Sequence, residues 1–156
     1  MASDYEAHVE LVKRLAKETI EGSGTTLSAK GIMLTETHVG LVSFDDVAGE
    51  RIGVALKKAL DFLRPSVYML LSEVWTTTSK RPQTEGIAIK ELPLDDREEL
   101  VLLIVVERPD AEEDGAVTIW QAVVDDTPTG RRLREFTRRP ANYKFGNLGP
   151  GIPVRW

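Results

Sequence analysis

Residues 100–106 read Leu-Val-Leu-Leu-Ile-Val-Val, seven apolar side chains in succession. Asp95, Asp96, Arg97, Glu98 and Glu99 precede them, and Glu107, Arg108, Pro109 and Asp110 follow. A run of this length, rich in β-branched types and bracketed by charge and proline, reads as a strand covered on both faces rather than as a helix. Burying such side chains contributes about 1.5 to 3 kcal/mol each, so this segment alone supplies roughly 10 to 20 kcal/mol. That figure is an upper bound, because the denatured chain is not fully extended. The segment is therefore the expected centre of a sheet around which the rest of the chain packs.

Its neighbours follow from the same pattern. Residues 66–77, from Val67 through Trp75, predict a long strand that is apolar on both sides at its start. Residues 116–124 predict the returning strand after a polar connection that ends in Asp114-Gly115. Residues 66–124 thus form a three-stranded antiparallel meander. Two short strands are expected at residues 32–34 and 39–44. With no Asn-Gly or Asp-Gly between them, a hairpin and a single bulged strand both remain open.

Helical periodicity marks two segments. The first runs from Ser3 to about Glu21, where Ser3 and Glu6 form a capping box and Tyr5, Val9, Val12, Leu15, Ala16 and Ile20 make one apolar stripe. Gly22 stops it. The second starts after Asp45 or Asp46 and ends at Leu63, because Arg64-Pro65 cannot continue a helix. Both helices are expected to cover one face of the sheet. The fold class that results is α+β: an antiparallel sheet of three to five strands packed on two helices, with an extended C-terminal arm.

Charge divides the chain. From Gly130 onward, Arg131, Arg132, Arg134, Arg138, Arg139, Lys144 and Arg155 face the single acid Glu135, a net of +6; since the whole chain carries −5, the remainder carries −11. Residues 1–129 are read as one domain and residues 130–156 as a basic, Pro/Gly-rich arm. A short helix is expected over residues 131–137. A cationic arm and an anionic body attract, so the arm is expected to dock on its own domain or on a neighbouring subunit. Tyr143, Phe145, Leu148, Ile152, Val154 and Trp156 make it too apolar for a plain solubilising tail.

Several chemistries are excluded by residue type. The chain has no cysteine, which removes disulfides, thiolate metal sites and cysteine nucleophiles. The two histidines, His8 and His38, lie thirty residues apart with no carboxylate at diagnostic spacing, so no metal site is expected. His8 reads as a half-buried structural residue. Gly22-Ser23-Gly24 follows a helix and lacks a phosphate-binding pattern, and no Gly-x-Ser-x-Gly or dinucleotide fingerprint occurs, so no cofactor is expected. The amino terminus lacks the basic region and apolar core of a signal peptide, and no apolar run approaches the roughly 18 residues of a membrane span, which points to the cytoplasm.

Several candidate site residues remain. Glu73 is the one acid interior to a predicted strand, and with Asp95 and Asp96 it is a candidate for proton transfer. Thr76, Arg81 and Arg97, in or beside the long polar stretch of residues 76–99, are candidates for holding a small ligand. Arg131, Arg138, Tyr143, Phe145 and Trp156 are candidates for partner binding through the arm. The expected function is a noncatalytic interaction or assembly domain whose partner is itself, as a homodimer, or another protein. An enzyme or small-ligand-binding protein, with its site between the sheet and residues 76–99, is the alternative. Nucleic-acid binding by the basic arm ranks third, because the body is acidic.

Overall fold

The computed structural model describes residues 5–23, 27–44, 49–77, 97–108 and 116–139, together with Pro153 and Trp156. Helix α1 spans Tyr5–Glu18 and passes into a π-helical turn, Thr19–Ser23. Strands β1 (Lys30–Leu34) and β2 (Val39–Ser43) follow, then helix α2 (Gly49–Leu63) and strand β3 (Val67–Thr77). Strands β4 (Arg97–Glu107), β5 (Val117–Thr127), β6 (Gly130–Leu133) and β7 (Thr137–Arg139) complete the described elements. All pairings are antiparallel, in the order β2-β1-β3-β4-β5-β6, with β7 joining β5 beside β6.

The class is the expected α+β, but the sheet has seven strands rather than three to five. The meander of β3, β4 and β5 stands at its centre: Leu71 opposes Leu103, and Leu103 opposes Trp120. The two short segments form a hairpin, not one bulged strand. Its turn is closed by a threonine rather than by Asn-Gly: the Thr35 hydroxyl oxygen accepts the His38 N–H at 2.9 Å, and the Thr35 N–H donates to His38 O at 2.9 Å.

The helices lie on opposite faces, which corrects the expectation that both cover one. Val9, Val12, Ala16 and Ile20 pack with Met69, Leu71, Val101, Leu103 and Val105. On the other face, Ile52, Leu56 and Leu60 pack with Tyr68, Leu70, Leu102, Ile104 and Val106. Successive residues of β4 alternate between these two cores, and residues 100–106 are all at most 1% exposed. An unbroken apolar run in an antiparallel strand demands a layer on each side, and α1 and α2 supply one each.

A second correction concerns residues 131–137, which are not helical. Arg131, Arg132 and Leu133 extend along β5, with Leu133 opposite Val124, and Thr137 resumes the pairing opposite Gln121. Gly130, at a φ of 131°, makes the turn from β5 that starts this excursion. The β-sheet edge next to β5 was open, and Leu133 fills the gap beside Val124 on the α1 face. No helix among the described residues is long and apolar enough to cross a membrane.

Candidate functional site

Three places combine chemistry with access or with unusual burial. The first lies on the α1 face where β3, β4 and β6 meet. Alternation puts Glu73 in line with Leu71 and Glu99 in line with Val101, and β6 places Arg131 on the same face as Leu133. The side chains are 4%, 11% and 14% exposed, respectively. One terminal nitrogen of Arg131 donates to both carboxylates, and its Nε lies 3.9 Å from the exposed Asp126. The Glu99 carboxyl is pushed up to about 7, chiefly by burial and then by its hydrogen bond to Glu73 and the charge there, while Arg131 opposes the shift. Close by, Glu21 of the π-helical turn accepts the Leu133 N–H at 3.0 Å and sits 3.5 Å from Arg132.

A carboxyl that titrates near neutrality suits proton transfer only where a substrate can reach it. Here the acids and the guanidinium satisfy one another, and neither of the two clefts described next is lined by them. The cluster fastens β6 to the middle of the sheet. Glu73 is thus a paired residue inside the fold.

The second place is a cleft of about 780 Å³ at the end of the sheet under the first turns of α1. It brings together His8 and His38, which the sequence separates by thirty positions, with Ser66, Glu107 and Arg108. Its floor is stitched by backbone: the Ser66 N–H donates to Leu34 O at 2.8 Å, and the Arg108 N–H to Ser66 O at 2.7 Å. The His38 Nδ1 is held by the Thr37 hydroxyl at 2.7 Å. Among the described residues, no group of three or more histidines and acids is arranged to hold a metal ion. A smaller cleft of about 290 Å³ between α1 and β6 has Lys13, Arg14, Lys17 and Arg134 together with Glu10 and Glu135 in its wall. Lys13 lies 3.5 Å from the centre of the Trp120 ring and Arg134 binds Asp125 through two bonds, which ties both cations to the protein itself.

The third place is the free edge of β2. The bonds from Thr35 N–H to His38 O and from Phe44 N–H to Ala29 O fix the phase of the β1–β2 hairpin. Residues 38, 40, 42 and 44 turn their backbone groups to β1, so Val39, Leu41 and Ser43 turn theirs outward. Among the described residues no strand lies beyond them. Val39 is 60% exposed and Leu41 65% exposed. On the other face the last turn of α2 adjoins the strand: a Cβ on Gly40 would lie 3.9 Å from Leu63, and the neighbouring Phe62 is 86% exposed. No residue of β2 is charged.

The candidates named from sequence scatter over this framework. Glu73 and Arg131 meet, with Glu99 as a third member. Thr76 lies in β3 and Arg97 in β4, and only their backbones are described. Arg81, Asp95, Asp96, Tyr143 and Phe145 lie outside the described residues. Arg138 sits exposed on β7. Trp156 packs on the α2 face, its ring edge-on to Tyr68 at 5.3 Å and its Nε1 donating to Pro65 O at 2.8 Å. Tyr68 in turn donates to Pro153 O, and burial raises its hydroxyl far above the ordinary tyrosine range. Neither His8 with His38 nor the β2 edge was a candidate, since each depends on strand order. Compared with family models, with curated proteins and with solved structures, the chain matches none.

Proposed function

We propose that the chain is a noncatalytic interaction domain that takes a protein segment in extended conformation onto the edge of β2. The observation that carries this reading is the outward backbone of Val39, Leu41 and Ser43 on a strand that is uncharged and apolar. Exposed sheet edges are normally blunted by charge, proline or bulges, because a bare one recruits another strand. The opposite edge follows that rule: β7 presents Arg138 and Arg139, both exposed. Among the described residues, an edge guarded on one side and bare on the other argues for use of the bare one. Arg131, Arg132 and Arg134 are each engaged by acids, which favours a protein partner over nucleic acid.

A titration of the isotope-labelled protein with uncharged eight-residue peptides of alternating valine and threonine tests the reading. Amide signals of Val39, Leu41 and Ser43 are expected to shift first, and Leu41→Lys is expected to abolish the effect. Peptides that leave these three amides unmoved would contradict it. The cleft that gathers His8 and His38 supports a second reading, a small-ligand site. Its test is a ligand screen read by the ring signals of both histidines, and silence there would remove it.

A further inference from the structure

We propose that the occupant of the β2 edge is a second copy of this chain, paired antiparallel, β2 to β2, about a two-fold axis at Leu41. This rests on the interaction reading above and names its partner. The strand is complementary to itself in three ways. Its outward residues match in full: Leu41 faces Leu41 of the second copy, and Val39 faces Ser43, so every outward N–H and C=O of the strand finds its counterpart. Moving the axis to Gly40 would instead set Ser43 against Thr37 in the turn.

Side chains fit in the same register. On the α2 face, Gly40 of one copy lies opposite Val42 of the other in the closer, non-hydrogen-bonded type of pair, where Cα atoms stand about 4.5 Å apart. The missing side chain at Gly40 leaves room for the valine. On the α1 face, the two exposed Leu41 side chains meet, with Val39 of each copy beyond them, so the apolar stretch becomes an interior. Finally, β2 carries no charge, so within the paired strands no like charges are opposed although each chain is −5 overall. A strand without charge also offers nothing for an acidic or basic partner to recognise.

The absence of native cysteine makes the register directly testable. Leu41→Cys places two thiols in a hydrogen-bonded pair with Cα atoms about 5.5 Å apart, inside the disulfide range. Under mild oxidation this variant is expected to become a covalent dimer at least about tenfold faster than Leu11→Cys, whose residue is also exposed but lies on α1. Wild-type protein in light scattering is expected at twice its 17.3 kDa. Wild-type protein that stays monomeric up to about millimolar concentration, or equal cross-linking rates, would overturn the proposal. A monomer that still takes up the extended peptides at Val39, Leu41 and Ser43 removes the second copy and keeps the docking edge. A monomer that takes up none removes both.

Discussion

Glu99 shares the α1 face of the sheet with Glu73 from β3, Arg131 from β6 and, farther out, Asp126 from β5. Its folded pKa, about 7, exceeds that of the unfolded carboxyl, so the folded state holds the proton more tightly. The stability it lends is complete below the ordinary glutamate range and is lost as pH rises through about 7. Denaturant titrations between pH 4 and 8, at fixed protein concentration, are expected to show this decline, and Glu99→Gln is expected to flatten it. Equal slopes in both proteins would contradict the assignment. Gln121 offers a simpler test. Its Oε1 is buried without a hydrogen-bond partner, and an unsatisfied buried acceptor costs about 1 to 3 kcal/mol. Gln121→Leu is therefore expected to raise stability by about 1 kcal/mol in the same titration. Of this residue-level chemistry, the sequence exposed only Glu73, as an acid inside a strand. Glu99 was read as part of a charged flank, and Arg131 as part of a basic run, because their meeting depends on which strands adjoin.

Helix α2 ends at Leu63, and the next residue, Arg64, has a left-handed φ of 46° while its N–H still donates to Leu60 O at 2.8 Å. Such a cap normally belongs to glycine, since a Cβ there costs about 1 to 2 kcal/mol. Arg64→Gly is expected to raise the unfolding free energy by about 0.5 to 1 kcal/mol, and a loss of that size would contradict the strain. The stop itself was legible, because Arg64-Pro65 forbids a further turn. The three long strands were legible too, through runs of apolar residues separated by polar connections. What misled was layer assignment. An unbroken run at residues 100–106 already required a cover on both faces, whereas the amphipathic stripes of α1 and α2 do not say which face each takes. Residues 131–137 misled in another way: Arg-Arg-Leu-Arg-Glu-Phe has helix-forming composition, yet the free flank of β5 and the acids at positions 73 and 99 draw it into a strand.

At the scale of the whole molecule, three of the arginines that follow Gly130 are met by acids of the same chain. Arg131 meets Glu73 and Glu99, Arg132 approaches Glu21, and Arg134 binds Asp125. Among the described residues, one edge of the sheet carries exposed arginines and the other is uncharged. That asymmetry could not be read from the sequence, in which Val39-Gly40-Leu41-Val42-Ser43 is one more short strand; its terminal position emerges only from the strand order of the sheet. The gathering of His8 and His38 in one cleft was hidden for the same reason. The most direct measurement is amide hydrogen exchange of the full chain across a range of protein concentrations. The outward amides of Val39, Leu41 and Ser43 are expected to become as protected as those of Gly40 and Val42 when concentration rises. Exchange at these three amides that stays fast at every concentration, while Gly40 and Val42 remain protected, would contradict the claim that a copy of the chain covers this edge.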